Sequence, residues 1–158
     1  MGDITYGTRP GAVALLTTQL DSLTTGHHSA FGPEIIPGTT TNLTIRALRG
    51  DLIFKLASSS LVLTTSSFVS VFFVPKIDGT NYPELTAGAS GKLAESNYYV
   101  GAIRFWPGTI PAKIIYEGLQ GVPIPNAPFK TVLKNNLGVT IPSGSTLDLY
   151  PQMESVAA

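Results

Sequence analysis

Apolar and polar residues alternate with a period of two along most of this chain. In LIFKL, Leu52, Phe54 and Leu56 share one face, and Ile53 and Lys55 share the other. NLTIRAL places Leu43, Ile45 and Ala47 together, with Arg46 opposite. YYVGAIRFW aligns Tyr99, Gly101, Ile103 and Phe105, KIIYEG pairs Ile114 with Tyr116, and FKTVLKN sets Phe129, Thr131 and Leu133 against Lys130 and Lys134. TLDLY closes the series with Leu147 and Leu149 inward and Asp148 outward. This period marks strands buried on one face. Turn-forming pairs separate them: Gly50-Asp51, Asp78-Gly79, Pro107-Gly108, Asn135-Asn136 and Ser143-Gly144. Seven or eight such strands, with no long helical period after residue 24, predict an all-β fold. Its form is an antiparallel two-sheet sandwich, jelly-roll-like. The predicted core holds Leu43, Ile45, Leu52, Phe54, Phe72, Val74, Ile103, Phe105, Leu133 and Leu147.

One strand breaks the alternation. In SSFVSVFFV, Phe68, Ser70, Phe72 and Val74 lie on one face, and Val69, Val71 and Phe73 on the other. A strand apolar on both faces needs cover on both. The opposing sheet is one cover. The second is a neighbouring subunit, the N-terminal arm, or the polar loop at 80–97 packing back on its own sheet. If a partner supplies it, Val69, Val71 and Phe73 face that partner.

The N-terminal part is less regular. Residues 1–12 are rich in Gly and Pro, carry no period, and predict a flexible arm. A single domain spans 13–158. Leu15, Leu16, Leu20 and Leu23 recur at near-helical spacing among threonines that favour strands, so helix and strand both stay open for 13–24. Residues 24–41 predict a loop.

Composition narrows the function classes. Of 158 residues, 13% are charged, ten basic against ten acidic. That share is about half the usual one and leaves no net field to draw nucleic acid or an anionic membrane. A weakly charged surface favours association. No cysteine is present, so the fold uses no disulfide. No apolar run approaches the roughly 18 residues of a membrane helix.

Candidate chemistry is sparse. His27 and His28 are adjacent, so on an extended chain they point apart and chelate one ion poorly. They read as exposed loop residues. The carboxylates are scattered, and no phosphate loop, nucleophile elbow or zinc spacing occurs. Asp78 and Asn81 read as the side chains of a tight turn, because one acidic turn supplies too few oxygens for calcium. Tyr82, Tyr98, Tyr99 and Trp106 are the aromatic residues that would form a sugar-stacking platform, or else a subunit interface. The candidate interface is therefore Val69, Val71, Phe73, Tyr82, Tyr98 and Trp106, with no catalytic, cofactor or metal residue assigned and no enzyme activity expected.

The order of several segments resembles that of small virion-associated structural proteins of tailed bacteriophages. An LLTTQLDSL stretch comes first, followed by SSFVSVFFVPKIDGTNY, in which a strand ends at Pro75 and leads into DGTNY. Then come Tyr99-Val100-Gly101, a Pro-rich lead from Pro123 into Phe129-Lys130, an N-x-x-G turn at Asn135 to Gly138, and SGSTL from Ser143 to Leu147. The likeness runs from Leu15 to Tyr150, and departs from the pattern at 45–56, which is unusually apolar. It implies a non-enzymatic protein of the virion, assembled in the host cytoplasm. The first expectation is a capsid decoration or cement protein whose partner is the major capsid protein or another virion protein. A homo-oligomer is expected, a trimer by the same resemblance. The alternatives are a jelly-roll major coat protein, a tail or head-fibre component, or a carbohydrate-binding sandwich. Coat proteins often carry a basic arm for the genome, whereas Arg9 is the single Lys or Arg in the first forty residues.

Overall fold

The computed structural model describes residues 11–40, 49–83 and 98–152. In chain order its strands are β1 (Val13–Leu16), β2 (Arg49–Leu63), β3 (Phe68–Pro75), β4 (Tyr99–Arg104), β5 (Gly108–Pro123), β6 (Phe129–Asn136) and β7 (Thr146–Gln152). A single 3-10 turn, Thr18–Leu20, follows β1, so the segment left open between helix and strand begins as a strand. One sheet has the order β1-β7-β2-β5 and the other β4-β3-β6. Every strand pairing among the described residues is antiparallel. The chain is thus an all-β antiparallel two-sheet sandwich, as its alternation predicts.

Residues 26–35, expected as plain loop, add a fourth, irregular strand to the second sheet. The N–H groups of Gly26, Ser29, Gly32 and Ile35 donate to the carbonyls of Asn135, Leu133, Thr131 and Phe129 at 2.6–2.9 Å. Asn135 and Phe129 donate back to the carbonyls of His27 and Ile35, each at 3.0 Å. The stretch runs antiparallel to β6 and covers its edge. Its Gly, Pro and Thr content hid it, because alternation fails where a strand bulges. Gly32 is required there: a Cβ at this position would stand 2.1 Å from the Leu15 carbonyl oxygen. The segment therefore seats against β1 and closes this side of the sandwich.

Side chains from both sheets fill the space between them. Leu52, Phe54 and Leu56 of β2 and Leu147 and Leu149 of β7 meet Val69, Val71 and Phe73 of β3, Ile103 of β4, and Phe129 and Leu133 of β6. Phe54 meets Phe105 edge-on at 5.7 Å between centroids, and Phe73 lies 4.7 Å from Phe129. Each large apolar side chain so enclosed contributes about 1.5–3 kcal/mol. Of the predicted core, Leu52, Phe54, Phe72, Val74, Ile103, Phe105, Leu133 and Leu147 are buried; Leu43 and Ile45 lie outside the described residues, as do most of the arm and of the 80–97 loop.

Two predicted turns are strand. β2 passes straight through Gly50-Asp51, with Gly50 paired to both Val122 and Pro151. The Asp51 carboxylate accepts from the Gly121 N–H at 3.0 Å and from the Gln152 amide at 2.8 Å, fixing it inside the sheet. β6 likewise runs through Asn135-Asn136. Asn135 is fully buried. Its amide donates to the carbonyls of Leu23 (2.7 Å) and Val139 (2.8 Å), and its oxygen accepts from the Leu137 N–H at 2.9 Å. These bonds satisfy a polar side chain that burial would otherwise penalise, and tie the N-terminal segment to the β6–β7 connection. Asp78-Gly79 is a turn as predicted: the Asp78 carboxylate accepts from the N–H groups of Thr80 and Asn81 and from the Asn81 amide at 2.7–2.9 Å. Those donors, Asn81 foremost, hold its carboxyl down to about 2.

Candidate functional site

The two faces of β3 are interchanged relative to the expected arrangement. Val69, Val71 and Phe73, assigned to a partner, point between the sheets and are 0%, 0% and 5% exposed. They are core and present no surface. The outward face carries Phe72 and Val74, which form a second cluster with Val132 of β6. Phe31, Tyr82 and Tyr98 pack against that cluster. His28 joins it, buried, with its ring 6.0 Å from Phe72. That corrects its reading as an exposed loop residue; only His27 keeps part of its surface open. The second cover is thus the chain itself, supplied by the 26–35 segment and by the residues flanking the 84–97 stretch.

Charge locks this cap at its rim. Lys130 Nζ sits 4.5 Å from the Tyr82 ring centroid and 5.5 Å from that of Phe31. Lys76 Nζ lies 5.8 Å from the same Tyr82 ring and 3.0 Å from Glu34. Cation–π contacts of this kind contribute about 0.5–1 kcal/mol each when exposed. The Lys76 ammonium, then the Tyr82 hydroxyl, lowers the Glu34 carboxyl below its usual range. Burial, then the Glu34 carboxylate, pushes the Tyr82 phenol up to about 12. Tyr82 and Tyr98 are therefore held in a packed cap and do not stand free as a stacking surface.

Trp106 is placed apart from them. It follows the far end of β4, eight residues beyond Tyr98, about 25 Å along an extended chain. Tyr82, Tyr98, Tyr99 and Trp106 do not form one platform. Trp106 is 83% exposed and borders an open cleft of about 260 Å³ with Phe105, Lys113, Ile115 and Glu117. Beyond it the ribbon of β2 and β5 carries Val62, Ile114 and Tyr116, which are 62%, 47% and 62% exposed. Leu61, Leu63 and Ile115 turn inward toward the core, so the other three face outward. A second open groove lies at the opposite end of β4, lined by Phe73, Pro75, Tyr98, Tyr99, Pro123 and Pro125.

Among the described residues no group of three or more His, Asp or Glu stands where it could hold a metal ion, and no helix is long and apolar enough to cross a membrane. The exposed large apolar side chains among the described residues include Trp106, Val62, Ile114 and Tyr116. Sequence reasoning missed the outward Ile114 and Tyr116, because a period of two names two faces without saying which is inside. Compared with known proteins, the chain matches no family model, no curated protein and no solved structure.

Proposed function

We propose that this chain is a structural protein of a bacteriophage virion, acting as a capsid decoration or cement protein that binds and stabilises the shell. The observation that carries the reading is the strand order. With 26–35 taken as the second of eight strands, the spatial orders become 1-8-3-6 in one sheet and 2-7-4-5 in the other. That order supports a jelly-roll form of the sandwich, an architecture used by viral capsid proteins and lectins among others. The segment likeness to tailed-phage virion proteins, the 13% charge and the exposed Trp106, Val62 and Tyr116 support a protein that works through contact area. A standard interface buries about 1,600 Å², and repetition over a shell multiplies its effect.

The test is the composition of the particle. Peptide mass spectrometry of purified virions from the source of this chain should recover it in a fixed stoichiometry to the major capsid protein. Shells stripped of it should break at lower temperature and regain stability when it is added back. Absence from the particle would end the proposal. Recovery as the main shell component would turn it into a coat protein.

A further inference from the structure

β5 is the free edge of its sheet: β2 occupies one side, and among the described residues no strand occupies the other. Natural edges are usually short, charged or interrupted. This one is 16 residues long, and its central stretch Lys113–Gln120 contains no proline and two charges, Lys113 and Glu117. Those two charges lie symmetrically about Ile115. They share its face, since all three line the cleft beside Trp106. Residues four apart on a strand are separated by about 13 Å, so Lys113 and Glu117 cannot meet within one chain. An antiparallel second β5, related by a two-fold axis at Ile115, brings Lys113 of each copy opposite Glu117 of the other. The same register sets Ile114 against Tyr116 on the outer face, in both halves of the pair. Both are exposed in the single chain.

We propose that two copies of this chain pair edge to edge through β5, with Ile115 at the two-fold axis. The pairing fuses the two β1-β7-β2-β5 sheets into one continuous sheet of eight strands. It satisfies the open backbone groups of both edges by strand addition. It is isologous and closes as a dimer, in place of the trimer that the phage resemblance implies. It rests on the edge alone and stands whether or not the chain belongs to a virion.

Charge reversal tests the register. Lys113→Glu gives each copy two acidic groups that face each other across the axis, and Glu117→Lys gives two basic ones. Each variant alone should dimerise about tenfold more weakly in sedimentation equilibrium, since two cross-strand pairs turn repulsive in every dimer. An equimolar mixture of the two should dimerise as the unaltered chain does, because the heterodimer restores both pairs. The double variant should do the same. Ile115→Cys supplies a second arm in a chain without cysteine. On oxidation it should give a covalent dimer, since opposed strand residues lie within disulfide reach, whereas Thr140→Cys, exposed on the β6–β7 connection, should not. An unaltered chain that stays monomeric at every concentration, a stable trimer, a mixture no better than its parts, or an Ile115→Cys chain that fails to cross-link would each overturn the proposal.

Discussion

The outer face of β3 and the outer edge of β5 start from similar sequence and meet opposite fates. FVSVFFVP and KIIYEGLQ are both rich in apolar residues. On β3 the outward Phe72 and Val74 are buried by the chain's own His28, Phe31, Tyr82 and Tyr98. On β5 the outward Ile114 and Tyr116 stay 47% and 62% exposed. The difference lies in neighbours. β3 is the middle strand of its sheet, and the segment that extends that sheet brings Phe31 and His28 over its outer face. β5 ends its sheet, and no described segment crosses it. An apolar residue on a covered face serves folding, and the same residue on an open edge is left available for association.

The comparison breaks most sharply at the core of β3. Val71→Asp places a carboxylate where Val71 is fully buried, at a cost of several kcal/mol without a partner. The chain should fail to fold, read as loss of the strand spectrum in far-ultraviolet circular dichroism. A folded variant with lost association would return Val71 to a partner-facing role. Next, Phe72→Ala should cost about 3–5 kcal/mol in urea unfolding, although Phe72 sits on the outer face of its sheet. A loss under about 1 kcal/mol would mean that the aromatic cap does not hold.

Gly32→Ala sharpens the account of how the cover is seated. The added methyl meets the Leu15 carbonyl, which is backbone and has little room to give. The expected loss is about 1–3 kcal/mol, with faster hydrogen exchange along 26–35. Unchanged exchange there would show that the segment does not depend on its close approach to β1.

How far these regions were readable follows from the same contrast. Leu147 and Leu149 declared their strand because a polar residue stands between them, and the sandwich was legible from repetitions of that pattern. The orientation of β3 was not legible, since with both faces apolar no polar residue marks the outside. The 26–35 strand escaped because its bonds to β6 are irregular and its defining feature is a missing side chain at Gly32. Asn135 looked like a turn residue; its role as a buried clamp depends on Leu23, more than a hundred positions away. Of the candidate interface, Trp106 proved exposed, Tyr82 and Tyr98 proved to belong to the cap, and the three β3 residues proved to be core.

The smallest expected effect probes the rim of the cap by pH. The Tyr82 phenol is raised from 10.0 to about 12 in the folded chain. The folded state thus favours the neutral phenol. That contribution is whole below about pH 10 and is lost as pH rises through about 12. Urea unfolding of the unaltered chain should weaken more steeply across this window than that of Tyr82→Phe, which cannot ionise. Parallel curves would remove Tyr82 from the cap.

The central claim is that β3 is closed by its own chain while β5 is open to another. One paired measurement tests it: thermal melting and sedimentation equilibrium on Phe72→Asp and Tyr116→Asp. Phe72→Asp should not fold. Tyr116→Asp should melt within about 0.5 kcal/mol of the unaltered chain when both are dilute enough to be monomeric, as an exposed substitution should, and should remain a monomer at concentrations where the unaltered chain dimerises. A folded Phe72→Asp chain, or a Tyr116→Asp chain that unfolds or still dimerises, would contradict it.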